Sequence, residues 1–184
     1  MISERAKASL DSMVMQGIRS ALVSPADAIV SLETVETLEP ITEQEVVMLS
    51  VVSYHFRVVM MVYFTRDERT RLHFSRLTKN DGSPLDDQGI YDALYESANM
   101  CCGTFNRELG RVFEHVGMST PNMIDSRCAE HLAILDYGYL KHYALVLDSG
   151  ISFRLSLCVT EYHDLDFELE STAQAESTGE LEFF

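Results

Sequence analysis

Basic residues are scarce in this chain. Its 184 residues include 14 Lys and Arg against 29 Asp and Glu, a formal net charge of −15. An acidic excess of that size excludes a nucleic-acid partner held by phosphate contacts. Cysteine is sparse too: Cys101, Cys102, Cys128 and Cys158 stand alone, with no CxxC and no Cys/His cluster at ligand spacing. The expectation is reduced thiols in a cytoplasmic protein, with no metal site of its own. The histidines at 55, 73, 115, 131, 142 and 163 include no HxxxH pair and are expected in surface or packing roles. No long hydrophobic run is present. The most apolar stretch, Val46 to Phe64, is broken by Ser50, Ser53, His55 and Arg57, so it reads as two strands and not as a membrane span. Met1 to Lys7 lacks the basic region and apolar run of a secretory signal. Gly-x-Ser-x-Gly, P-loop and dinucleotide fingerprints are missing, and no internal repeat is evident.

What is present fits one domain with a substantial core. Apolar residues make up 46% and charged residues 23%, ordinary values for a folded soluble chain. The acidity is uneven: Asp164 to Phe184 holds seven acidic residues and no Lys or Arg, which leaves −8 on the preceding 163. A single domain is expected over 1–170 and a disordered acidic tail over 171–184. Phe183 and Phe184 are read as part of that tail.

The periodicities give the elements. Leu10, Met13, Val14, Ile18 and Ala21 recur at helical steps, so 4–22 is a helix capped by Ser3 and closed at Pro25. Strands are expected over 28–38, 45–54 and 57–64, the last two antiparallel neighbours. Thr65 and Glu68 form a capping box for a short helix to about Leu77, and Asn80-Asp81-Gly82 signals a turn. Ser83 as cap and Pro84 at the first position open a second long helix, which the apolar pattern carries to Val116 and Gly117 stops. A short strand or turn runs to Ile124. The clearest hairpin spans 139–148 and 151–161, turned at Asp148-Ser149-Gly150. Leu165, Phe167 and Leu169 alternate with acidic residues, as a prolonged or short edge strand would. The fold class is therefore α/β (α+β): an antiparallel or mixed sheet covered by two long helices.

The second long helix carries the chemistry. At about 100° per residue, Ile90, Leu94, Ala98, Cys101, Phe105, Leu109, Val112 and Val116 share one side, which should pack on the sheet. Asp92, Glu96, Asn99, Gly103, Asn106 and Gly110 share the opposite side. Two carboxylates and a carboxamide thus stand in a row toward solvent, spaced four and three residues apart. Gly103 and Gly110 leave the surface beside them bare, at about 1 kcal/mol each relative to Ala. A second surface can approach closely there. Most exposed Glu and Asn residues on helices are merely solvated; the length, the facing, the flanking Asp and the following Gly set this row apart.

The stretch Asp92-Ala-Leu-Tyr-Glu96-Ser-Ala-Asn99 resembles the motif of the CheC/CheX/FliY family of chemotaxis phosphatases: Asp or Ser, three residues, Glu, two residues, Asn. Met100-Cys-Cys-Gly103 looks like the family's continuation Asn-Met-x-x-Gly, and Met118-Ser-Thr-Pro-Asn-Met-Ile124 is similar to its extended segment. The similarity is specific over 92–124 and architectural over 4 to about 161. A single copy is present, as in the CheX members. The chain departs from the family at Tyr54-His55-Phe56-Arg57, where a glycine-rich turn is expected, and at Asp125-Ser126-Arg127, where a glycine is expected.

The resemblance implies a CheC-like fold and a phosphatase acting on the phosphoaspartate of a CheY-like response regulator. Asn99 would position water, Glu96 would pair with a lysine of the regulator, and Asp92 and Gly103 would support them. Asp92, Glu96, Asn99 and Asn106 would form the partner-binding face. No cofactor belongs to the chain itself; Mg2+ would come with the regulator. A homodimer joined through sheet edges is expected, with no nucleic-acid and no membrane partner. Two other readings use the same helix: a non-catalytic regulator-binding or flagellar-switch adaptor, and a dimeric scaffold whose helix face is only solvated.

Overall fold

The computed structural model describes residues 1–78 and 83–169. The expected Asn-Asp-Gly turn and the acidic tail lie outside the described residues. Helix α1 spans Glu4–Leu22. Ser3 caps it, its Oγ accepting the Ala6 N–H at 3.2 Å. Leu10, Met13, Val14, Ile18 and Ala21 are all buried, as their spacing requires.

Seven strands follow: β1 (Ile29–Val35), β2 (Glu45–Val52), β3 (Phe56–Phe64), β4 (Gly117–Met118), β5 (Asn122–Asp125), β6 (Tyr139–Leu147) and β7 (Ser152–Glu161). They form one sheet in the order β1-β6-β7-β3-β2-β4, with β5 also paired to β2. Every one of these pairings is antiparallel. The β2–β3 turn needs no glycine: Ser53 N–H donates to the Phe56 carbonyl at 2.9 Å and closes it. The β6–β7 hairpin turns through Gly150, whose φ of 77° suits a residue without Cβ.

Helix α2 covers Glu68–Leu77 and helix α3 covers Asp87–Leu109. Both start later than the sequence pattern suggests. The α2 cap is Asp67, accepting from Thr70 N–H at 2.8 Å, in place of Thr65. The α3 cap is Asp86, accepting from Gly89 N–H at 2.7 Å, in place of Ser83. In each case a carboxylate three residues ahead of the N–H outcompetes a hydroxyl further upstream. Helix α3 also ends about two turns before Val116. Gly110 caps it, and Phe113 turns inward to meet Phe56 and Phe167 edge-on, at centroid distances of 5.0 and 5.1 Å. His115 takes a left-handed φ of 57° as the chain reverses. Gly117 therefore opens β4, and Val112 is exposed instead of extending the buried stripe.

The helices α1 and α3 pack side by side on one face of the sheet, with the main core between. They cross closely at one point: a Cβ built on Gly17 lies 2.7 Å from the Cys101 carbonyl oxygen. Leu165 does not extend β7; it bridges in parallel to Ile2, and Phe167 is buried beside it.

The other face of the sheet is also covered. Leu38, Val46, Val59, Met61, Tyr63, Leu132 and Cys158 form a second core beneath residues 36–43 and a 3-10 segment, Ser126–Leu135. Ser156 and Cys158, which alternate with the first core, are therefore buried as well. Asp125 caps the 3-10 segment, accepting from Arg127 N–H at 2.9 Å, which accounts for the acidic residue where the family pattern has glycine.

Arg154 ties residues 38–43 to the sheet. Its guanidinium pairs with Glu43 through both carboxylate oxygens and donates to the Leu38 and Pro40 carbonyls. Burial alone would raise the Glu43 carboxyl, but the Arg154 hydrogen bonds, the backbone N–H groups of Glu43 and Thr42, and the guanidinium charge together hold it below its ordinary value. A depressed folded value contributes stability above the unfolded value of about 4.3 and loses it as pH falls through the folded value. Thermal scans across pH should therefore show the melting midpoint falling below about pH 4.5. Glu43→Gln should flatten that acid slope and lower the midpoint at neutral pH.

Candidate functional site

Helix α3 presents Asp92 and Glu96 exposed, with Asn99, Gly103 and Asn106 half-buried along the same row. Asp92 and Asn99 are about 10 Å apart along the axis at 1.5 Å per residue. The underside is fixed by Ile90, Leu94, Ala98, Cys101, Phe105 and Leu109, all buried, so the outward facing of the row follows from packing.

The row is not uniform. Asp92 accepts from Gln88 Nε2 at 2.8 Å, one turn earlier, so its carboxylate is engaged within the helix. The side chains of Glu96 and Asn99 have no hydrogen-bond or ion-pair partner among the described residues. A Cβ added at Gly103 would meet nothing within 4 Å. Nothing among the described residues asks for glycine there, and its bare surface lies one turn beyond Asn99. Asn106 sits lower: its Oδ1 is buried and without a partner, so that oxygen faces protein and not an incoming surface.

Cys101 and Cys102 lie under the row as free, buried thiols. Burial pushes Cys102 up to about 12 and raises Cys101 too. Both stay protonated and are packing groups, not nucleophiles.

The flank of this face leaves little trace in the sequence. Arg66 stacks over the Tyr91 ring at 4.8 Å and pairs with Glu45 at 2.9 Å, while the Tyr91 hydroxyl reaches Glu45 at 3.4 Å. This triad joins the starts of β2 and α3 and the end of β3. The adjacency of Tyr91 to Asp92 was the one signal for it, because Glu45 and Arg66 are distant in sequence. Beyond Asn99, Met100 is 47% exposed and adds an apolar contact to the rim.

In chemical terms, the face offers a carboxylate free to pair with a cation and a neutral carboxamide that both donates and accepts hydrogen bonds. Among the described residues, no group of three or more His, Cys, Asp or Glu is placed to hold a metal ion. No described helix is long and apolar enough to cross a membrane.

No family model matches the chain, and no curated protein matches it. Solved structures do. A chain of the CheX-CheY-BeF3-Mg2+ complex from Borrelia burgdorferi superposes with a TM-score of 0.58 at 13% identity, covering 84% of this chain and 97% of that one. Chemotaxis protein CheX from Vibrio vulnificus gives 0.56 at 13% identity, covering 85% and 97%. A CheC-like superfamily protein from Shewanella sp. PV-4 gives 0.55 at 8% identity, covering 85% and 98%. Identities this low speak for architecture alone: the chain has the fold of the CheX and CheC-like chemotaxis proteins.

Proposed function

We propose that this protein is a phosphatase for the phosphoaspartate of a CheY-like response regulator. The observation that carries the reading is the row itself. Glu96 and Asn99 stand three residues apart, without partners among the described residues, on the outward face of a long helix, beside the open space at Gly103. The Borrelia burgdorferi complex pairs the same fold with CheY, BeF3 and Mg2+, which supports a partner of that kind.

The chemistry suits these residues. An acyl phosphate is already reactive, so a catalyst chiefly has to place water in line with the bond that breaks. Water oxygen attacks phosphorus, the bond from phosphorus to the aspartyl oxygen breaks, the aspartate leaves as a carboxylate, and the water proton passes to phosphate and solvent. Asn99 holds the water by accepting from it and donating to it, without adding negative charge beside the phosphoryl oxygens. Glu96 fixes the docking by pairing with a lysine next to the phosphorylated aspartate. The divalent cation belongs to the regulator. Asp92, held by Gln88, shapes the face and does not enter the reaction.

Adding the protein to a phosphorylated cognate regulator should speed phosphate release. Glu96→Lys should weaken association with the Mg2+- and beryllofluoride-loaded regulator about tenfold or more and leave the melting midpoint unchanged, as titration calorimetry and thermal scans will read. Unaltered association would remove Glu96 from the docking contact.

A further inference from the structure

Across the sheet from α3, residues 37–41 and the 3-10 segment flank a half-open cavity of about 700 Å3 above β6. That volume lies within the usual range of small-molecule sites, about 300–1,000 Å3. Leu38, Ile41, Leu132 and Leu140 supply apolar walls. Glu39 and Glu130 are among the lining residues, and no Lys or Arg is. Lys141, next along β6, is turned to Glu36 at 3.7 Å. Arg154 holds the 38–43 wall in place from behind.

His142 is the polar group inside. Its Nδ1 lies 2.8 Å from Ser156 Oγ, which is fully buried and lies 3.0 Å from the Tyr63 hydroxyl. The Tyr63 hydroxyl in turn reaches Met61 Sδ at 3.9 Å. Burial pushes Tyr63 up to about 12, so it keeps its proton. The chain can carry its protons either way: from His142 Nδ1–H through Ser156 and Tyr63 to Met61, or from the Tyr63 O–H through Ser156 to His142 Nδ1. The first arrangement leaves His142 Nε2 an acceptor for an incoming donor, and Nε2 has no partner among the described residues. A nitrogen able to accept, two acidic residues and apolar walls suit a cation that carries N–H donors and a hydrocarbon body.

We infer that this cavity binds a small organic ammonium compound with an apolar body. The ammonium N–H is donated to His142 Nε2 and its charge is met by Glu39 and Glu130. The site is separate from the Asn99 row and does not depend on the phosphatase reading.

Titrating the 15N-labelled full chain with phenethylammonium, 2-phenylethanol and phenylacetate tests it by amide chemical shifts. Phenethylammonium should move residues 37–41, 129–132 and 140–142 together and bind about tenfold tighter than the alcohol. Phenylacetate should not bind. The Glu39→Gln/Glu130→Gln variant, altered only at exposed positions, should lose that tenfold preference. His142→Phe, which keeps the bulk, should weaken the amine more than the alcohol. Equal binding of amine and alcohol, shifts scattered over the surface, or no amine binding would overturn the inference. So would groove shifts that follow protein concentration and ignore the amine, because a second copy of the chain would then be the occupant.

Discussion

Asn99→Ala is expected to abolish the acceleration of phosphate loss from the regulator, cutting the rate about a hundredfold or more. Binding and stability should stay near wild type. The side chain is half-buried and makes no hydrogen bond within the described chain, so its removal should change stability by less than about 0.5 kcal/mol. Nothing else on the row can replace it. Asp92 is occupied by Gln88, and the Asn106 Oδ1 is buried. Asn99→Asp sharpens the test. It keeps the shape but adds a charge beside the phosphoryl oxygens and removes the donor. It should fail like the alanine, whereas a purely steric role would let it work. Titration of the regulator separates the two roles: Asn99 variants should lose turnover at saturation, and Glu96 variants should lose affinity.

Gly17→Val should destabilise the fold by about 3 kcal/mol. A Cβ at Gly17 would stand 2.7 Å from the Cys101 carbonyl oxygen and 3.1 Å from its sulfur. The nearer obstacle is helix backbone, so it cannot swing aside as a side-chain tip would. Either α1 lifts away from α3, or α3 moves over the sheet. Gly17→Ala meets the same clash, but the gain of about 1 kcal/mol in helix propensity offsets part of it, so its loss should be smaller. Denaturant melts of both variants will read the difference. The position matters for function too, because Cys101 lies two residues beyond Asn99 on α3. A shift there would move the row, and surviving Gly17→Val protein should also show weaker docking.

The sequence was most legible where one residue type had one job. The stripe Leu10, Met13, Val14, Ile18 and Ala21 placed α1, and Ile90 through Leu109 placed α3 and so the facing of Glu96 and Asn99. Alternation placed the β6–β7 hairpin. Helix starts were harder because Thr65, Asp67, Ser83 and Asp86 are all capable caps, and the pattern alone does not say that the carboxylates win. The end of α3 was misread because Val112 and Val116 continued the period, while the decisive residue was Phe113, drawn to Phe56 and Phe167. The second core left almost no local trace. Ser156 and Cys158 look like a solvent face until residues 36–43 and 126–135 fold over them. The Tyr91, Glu45 and Arg66 cluster was hidden for the same reason: its members meet only through the sheet.

The most direct test of the central claim measures two quantities on one sample: association of the protein with a phosphorylated response regulator from the same cell, and the rate at which that regulator loses phosphate. The expected result is association together with loss at least about tenfold faster than the regulator alone, with acceleration gone and association kept in Asn99→Ala. Association with no acceleration by the wild type would contradict it and make the Glu96–Asn99 face an adaptor's docking surface.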